Sequence, residues 1–388
     1  LYGQHHHSNQ PDPGKVNRIL LVKPDNLGDV ILFTGALKQI RQHYPNARIS
    51  IVAKKVVHPI LGKLPYLDEL IPWEPLLKLL PDWVPGFPGK SRLDAWVRRI
   101  RMTYFHKKHP ADLYLLPVRS TVPLLHQFTE LSRARLKYGI SGDTNHITTE
   151  QDVSYSSIYT HRFRVDESDG IMHEMETTRG FLSLLGIHCT LEDLWPDIRT
   201  LDEEAVWAIE MIQVKPDAIT LAIAPGVTSI PEKYYAAENY RKALAGLENY
   251  QLDVVIFGSN SEAEQCNAVQ KSLKNCGTVR SVLNLAGRTT LGQLAEGVKR
   301  CDILVSNETG VLHMATALRK PTVGILGGGH FKRFYPWGDP TINLYVNEPM
   351  DCYFCNWYCI HDSIRCIHEI EPEKITEQIR KLIQRTEN

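Results

Sequence analysis

Apolar and polar positions alternate in two rhythms along most of the chain. Short continuous runs of apolar, often β-branched residues are followed by stretches with apolar residues at helical spacing. Arg18–Lys23 followed by Val30–Tyr44 is the first such pair. Strand-like runs recur at Arg48–Ala53, Glu69–Trp73 and Asp112–Leu116. After a gap they return at Ile219–Ala224, Asp253–Phe257, Val282–Leu285, Asp302–Ser306 and Thr322–Leu326. Helical runs near Ala236–Glu248, Ser261–Leu273, Leu291–Arg300 and Val311–Leu318 separate the second set. Continuous apolar strands alternating with amphipathic helices predict an α/β protein with parallel sheets covered on both faces. Pro196 and Pro216 flank an acidic stretch between the two sets. The expected organisation is two Rossmann-like domains facing a central cleft. They span 15–200 and 218–370, with a linker at 201–217 and a C-terminal helix over 371–388.

Composition narrows the class. A chain of 388 residues, 43% apolar and 23% charged, exceeds what one hydrophobic core usually organises and is too apolar to be largely disordered. Residues 1–14 carry His5-His6-His7 with Gly, Asn and Pro. They lack the charged-then-apolar order of a signal peptide and read as a tag-like tail. Cytoplasmic localisation is therefore expected. The zero net charge conceals an asymmetry: residues 15–140 hold 21 Lys and Arg against nine Asp and Glu. That surplus is either a solvated face or a surface for something anionic, such as a phosphorylated glycan or an acidic lipid. Nucleic acid is not expected, because no zinc-finger, RNP or helix-turn-helix signature accompanies the charge.

In open α/β sheets ligands bind beyond the carboxyl ends of the strands, so the loops there carry the candidate chemistry. After the first strand comes Lys23-Pro24-Asp25-Asn26-Leu27-Gly28-Asp29. Asp29 is either a helix cap or a general base. Lys233 follows the Pro225-Gly226 turn, as a solvated lysine or a point charge for phosphate. Glu262, after Gly258-Ser259, either accepts from ribose hydroxyls or complements a helix dipole. In Ser306-Asn307-Glu308-Thr309-Gly310 a strand gives way to a helix. Its first amides could hold an anion, with His313 one turn on; otherwise Thr309 is only a cap. Gly327-Gly328-Gly329 follows the last expected strand rather than the first, which argues against a dinucleotide fingerprint.

These residues, in this order, resemble glycosyltransferase family 9, the bacterial heptosyltransferases of lipopolysaccharide synthesis. The resemblance runs from about Arg18 onward, through Leu27-Gly28-Asp29, Ala224-Pro225-Gly226 with Lys233, and Phe257-Gly258-Ser259 with Glu262. It continues through Asn284–Leu291 and Ser306–Gly310 with His313. It implies a GT-B fold and an inverting, metal-independent transfer of a sugar, typically heptose from ADP-heptose. The donor would lie on the C-terminal domain and the acceptor, an anionic glycan or glycolipid, on the N-terminal one. It assigns base catalysis to Asp29, phosphate contacts to Lys233, Thr309, Gly310 and His313, and ribose contact to Glu262. Glu308 stands where the family often has Asp, one methylene shorter. Arg98, Arg101 and Arg119 are the candidate acceptor contacts, and a helix carrying the first two could also meet the inner membrane. The alternatives are a nucleotide-sugar epimerase or hydrolase sharing these loops, and a silent sugar-binding protein.

Cys352, Cys355, Cys359 and Cys366 fall within fifteen residues, spaced C-x2-C-x3-C-x6-C. Four thiolates could hold structural zinc or iron, form disulfides, or remain reduced in a packed loop. No cofactor is expected for the reaction itself. The cluster lies far along the chain from every candidate catalytic loop, so a chelator is not expected to abolish transfer.

Overall fold

Five or six consecutive apolar residues leave a strand no face for water, and such strands lie inside a sheet with helices on both sides. The computed structural model describes residues 10–77, 90–143, 145–168, 170–227 and 233–386. It divides into two units, Leu1–Pro196 and Asp197–Asn388. Of the expected tail, residues 1–9 lie outside the described residues.

The first unit runs β1 (Arg18–Val22), α1 (Leu27–His43), β2 (Arg48–Ala53), α2 (His58–Leu61), β3 (Glu69–Pro72) and α3 (Glu74–Leu77). It continues with α4 (Lys90–Lys108), β4 (Leu113–Leu116), α5 (Pro123–Leu131), β5 (Leu136–Ser141), α6 (Thr149–Tyr155), β6 (His161–Arg164) and α7 (Glu174–Leu184). The second begins with α8 (Asp202–Met211), β7 (Ile219–Ala224), α9 (Ala237–Ala245), β8 (Leu252–Ile256), α10 (Ala263–Leu273) and β9 (Val279–Asn284). There follow α11 (Leu291–Arg300), β10 (Ile303–Asn307), α12 (Gly310–Ala317), β11 (Thr322–Leu326), β12 (Asn343–Asn347), α13 (Arg365–His368) and α14 (Pro372–Thr386). Within the stretch 201–217, α8 packs against α11.

Each unit contains one six-stranded sheet, ordered β3-β2-β1-β4-β5-β6 in the first and β12-β11-β10-β7-β8-β9 in the second. All pairings are parallel. Counted from its own first strand, the second sheet repeats the order of the first. The chain changes direction across the sheet between β1 and β4, and again between β7 and β10. Such switch points open a crevice at the carboxyl ends of the two strands.

Three strands, β5, β6 and β12, fall outside the strands read from the sequence. Each lacks a continuous apolar run. β5 contains Lys137 and Gly139, and β6 reads His-Arg-Phe-Arg. β6 and β12 are edge strands, where charged and polar residues are ordinary because one side meets solvent.

The second unit's core joins Leu221, Ile223, Val254, Ile256, Val305 and Ile325 of the sheet to Tyr240, Val269, Ile379 and Leu382 of the helices. In the first, Leu20, Val22, Val52, Tyr114 and Leu116 meet Phe105 and Phe128. Burying each Leu, Ile or Val contributes about 1.5–3 kcal/mol. Among the described residues no helix is long and apolar enough to cross a membrane.

Candidate functional site

The second unit's crevice is built from the ends of β7 and β10. Asn307, the last residue of β10, is buried and donates from Nδ2 to the Pro225 carbonyl at 2.7 Å. Ser306 Oγ donates to the Ala224 carbonyl at 3.2 Å. The two loops are thereby locked together. Thr309 is the N-cap of α12 in extended conformation (φ −139°), without a capping bond from its side chain. The amides of Leu312 and His313 return to the Thr309 carbonyl at 3.1 and 3.4 Å. The Gly310 and Val311 amides reach no acceptor among the described residues. This leaves two N–H groups at the positive end of a helix, an arrangement suited to an anion. One turn in, His313 is buried, stacks on Trp337 and accepts from Trp337 Nε1 at Nδ1 over 3.0 Å. In the neutral ring this leaves the proton on Nε2.

Lys233 and Glu308 meet at this crevice. The Lys233 ammonium sits 3.5 Å from the centroid of the Trp357 ring. Burial pulls it down to about 8, against the attraction of Glu308. Both Glu308 carboxylate oxygens are buried without a hydrogen-bond partner among the described residues. Burial pushes this carboxyl up to about 7, with Lys233 opposing. Residues 228–232, which precede Lys233, lie outside the described residues.

Glu262 is committed locally. Its carboxylate accepts from the Ser259 amide at 2.7 Å and from Ser259 Oγ at 2.8 Å, closing a capping box. Its side chain also crosses Gly226, where a Cβ would stand 2.5 Å from the Glu262 carboxyl carbon. Only glycine allows that approach. A Cβ at Gly258 would similarly come within 2.6 Å of Cys266 Sγ.

The first unit's crevice is organised around a lysine for which the sequence suggested no role. Lys23, 3% exposed, donates to the Pro117 carbonyl at 2.9 Å and pairs with Asp25 at 2.8 Å. Burial opposes its charge, but Asp25, Glu174 and Asp29 together raise it above the usual lysine value. Asp29 itself is half-buried in the first turn of α1. The helix starts at Leu27 with Asn26 as N-cap, so the capping reading of Asp29 is replaced by a first-turn carboxylate beside Lys23.

Arg119 is not an open cation. It is 3% exposed, donates to the Met172 carbonyl at 2.7 Å and pairs with Glu167. It braces the crevice wall. Arg98 and Arg101 are half-buried on α4, whereas Arg99, Lys107 and Lys108 are exposed. Trp96, Ile100 and Tyr104 are exposed on the same helix, four residues apart. That spacing puts them on one face.

The four late cysteines, all free thiols, line one cavity of about 10 Å³ with Gly328 and His361. Burial raises the Cys366 thiol, and the other three sulfurs add to the effect. Cys366 Sγ accepts from the Gly328 amide at 3.3 Å. As placed, no group of three or more His, Cys, Asp or Glu among the described residues forms a ligand set. The segment is nonetheless not remote from the candidate site, as its place in the chain suggested. A Cβ at Gly327 would meet Trp357 at 2.6 Å, at Gly328 Tyr353 at 2.3 Å, and at Gly329 Trp357 at 2.3 Å. The three glycines admit the cysteine segment. The sequence carried a signal for this, a glycine triplet and a tryptophan among cysteines, but no means of joining the two.

Two six-stranded parallel Rossmann-type sheets, the second with a helix start suited to an anion at its switch point, make up the GT-B fold. Residues 86–355 match glycosyltransferase family 9 (heptosyltransferase). The chain belongs to this family, and it is an enzyme, a glycosyltransferase. It is 24% identical over 315 residues to lipopolysaccharide heptosyltransferase 2 of Escherichia coli K12, covering 80% of this chain and 82% of that one. The family 9 glycosyltransferase of Veillonella parvula superposes with a TM-score of 0.71 at 20% identity, over 95% of this chain and 98% of that one. A more distant structure is the dodecameric, iron-containing heptosyltransferase TibC of enterotoxigenic E. coli, solved with ADP-D-β-D-heptose. It gives a TM-score of 0.51 at 14% identity, over 95% of this chain and 76% of that one.

Proposed function

We propose that the chain transfers a heptose from an ADP-linked donor to a lipopolysaccharide-type acceptor, with inversion at the sugar. The observation that carries this reading is the start of α12, where free amides, the helix dipole and Lys233 gather at one switch point. The relatives supply the sugar: E. coli heptosyltransferase 2 by its name, and TibC by the ADP-heptose in its complex. The donor belongs to the second unit and the acceptor to the first.

In the reaction, the Asp29 carboxylate takes the proton of the acceptor hydroxyl as its oxygen attacks the anomeric carbon. The bond from that carbon to the diphosphate breaks, and ADP leaves with the electron pair. The Gly310 and Val311 amides and Lys233 bear the departing charge, the kind of preorganised stabilisation that dominates many enzymes. His313 is within one turn of the same phosphates. Glu262 holds Ser259 and the nucleoside-side loop in shape.

Cys352, Cys355, Cys359 and Cys366 are proposed to bind one structural zinc or iron ion. Four thiolates suit either metal, and their shared cavity is about the size of a single water. The iron of TibC supports the same reading. Free thiols at all eight cysteines agree with a cytoplasmic setting. The exposed Trp96, Ile100 and Tyr104, with Arg99, Lys107 and Lys108 nearby, suit contact with the anionic membrane that carries the acceptor.

The test is calorimetry with ADP together with an acceptor-dependent transfer assay. Lys233→Ala is expected to raise the ADP Kd about 10- to 100-fold, since a hydrogen bond to a charged group contributes about 1.5–3 kcal/mol. Activity is expected without added Mg²⁺ or Mn²⁺. Unchanged ADP affinity in the variant would refute the site.

A further inference from the structure

We propose that Trp357 is a positioning residue of the donor site. Its indole seats the Lys233 ammonium for the diphosphate, and the four-cysteine segment holds that indole in place. This rests on Lys233 being the diphosphate contact.

Trp357 is fixed from several directions. Its ring face carries the Lys233 ammonium at 3.5 Å, and its Nε1–H donates to His330 Nδ1 at 3.2 Å. The ring also lies against Gly327 and Gly329, closely enough that neither position tolerates a Cβ. Its backbone is left-handed at φ 66°, as are Phe354 at 69° and Asn356 at 50°. Bulky L-residues rarely adopt this region, and they stay there only where the surroundings impose it.

Those surroundings are the glycine loop and the cysteines. The Phe354 and Asn356 amides donate to the Gly328 and Gly329 carbonyls at 2.8 and 3.1 Å. Cys355 and Cys359 stand two residues to either side of Trp357, and both line the cavity shared with Cys352 and Cys366. The thiol cluster thus brackets the turn that presents the ring. Lysine is a compact charge on a flexible four-carbon stem. An aromatic face attracts that charge while leaving N–H donors for a phosphate. His330, by accepting from the indole, fixes the rotation of the ring.

The experiment is a double-mutant cycle on the full chain, with ADP as the calorimetric probe. Trp357→Met keeps a long apolar side chain but removes the ring, and Trp357→Phe restores a ring. Trp357→Met is expected to raise the ADP Kd about 5- to 20-fold in the wild-type background, since cation–π contacts at partly desolvated sites have that range. In the Lys233→Ala background the same change is expected to alter Kd less than about twofold, because the ring acts through the lysine. Trp357→Phe should recover most of the affinity, an effect that a merely structural tryptophan would not produce. Cys355→Ser with Cys359→Ser should follow Trp357→Met, including its silence without Lys233. Thermal unfolding confirms that each variant is folded.

If Lys233→Ala weakens ADP but Trp357→Met does not, or acts equally in both backgrounds, the proposal fails while the donor site stands. If the serine pair leaves Kd unchanged, the role of the cysteine segment fails. If Lys233→Ala binds ADP like the wild type, the donor site itself is wrong, and the inference falls with it.

Discussion

After β1 a buried lysine, Lys23, is surrounded by the carboxylates of Asp25, Glu174 and Asp29. After β7 a half-buried lysine, Lys233, has the Glu308 carboxylate near it and an aromatic ring beneath its charge. The strand order around the two is the same. In the first crevice the carboxylates outnumber the cation, so the surplus charge is negative and can accept a proton. In the second, free amides at a helix start lie near a cation whose carboxylate neighbour among the described residues, Glu308, is pushed toward its neutral form. That crevice favours an anion. In the proposed reaction, one architecture therefore supplies a base on one unit and a leaving-group site on the other. The side chains placed at the switch point make the difference.

The strongest way to break this comparison is Asp29→Asn. General-base catalysis contributes about 10²–10⁴ in rate, and kcat is expected to fall in that range while the ADP Kd stays within about twofold. Turnover within a few-fold of wild type would remove Asp29 from the chemistry.

Next comes Lys23→Met, which strips the cation from the first crevice. Removing one partner of a buried pair typically costs about 3–5 kcal/mol, so urea unfolding should shift accordingly. The folded fraction should bind ADP normally. Weakened ADP binding by folded Lys23→Met would show that the two crevices are not separate in role.

A subtler probe is pH. Glu308 is neutral below about 7 and Lys233 charged below about 8, and both forms favour a diphosphate. ADP affinity is therefore expected to fall as pH rises through these values, roughly tenfold in all. Glu308→Gln should flatten the lower step. The ionisation of ADP itself is common to both proteins and cancels in the comparison. Identical profiles would mean that Glu308 does not titrate against the ligand.

The smallest effect concerns α4. Neutralising Arg99 and Lys107 to Gln is expected to weaken binding to anionic vesicles about threefold at low salt, with ADP affinity unchanged. The effect should vanish near 1 M salt, where the Debye length is about 3 Å. Equal vesicle binding at low salt would leave these residues a solvated face.

The sequence by itself determined the inner strands other than β5, whose Lys137 and Gly139 break the apolar run, and the order of loops along the chain, because most buried parallel strands are apolar throughout. It also carried the strand-to-helix turn at Ser306–Gly310, since that turn is local. Edge strands such as β6 were illegible because half-exposed positions need no apolar pattern. Asp29 was open to reading as a cap because the helix begins at Leu27, three residues before the apolar run at Val30. The tertiary structure alone decided which groups meet. It buried Lys23 among three carboxylates that come from two separate segments, and it committed Arg119 to Met172 and Glu167. It also laid Trp357 under Lys233, 124 positions away in the chain. Such pairings depend on where the sheet brings its loops together. No local pattern records that, because each partner's residue type is unremarkable until the other is beside it.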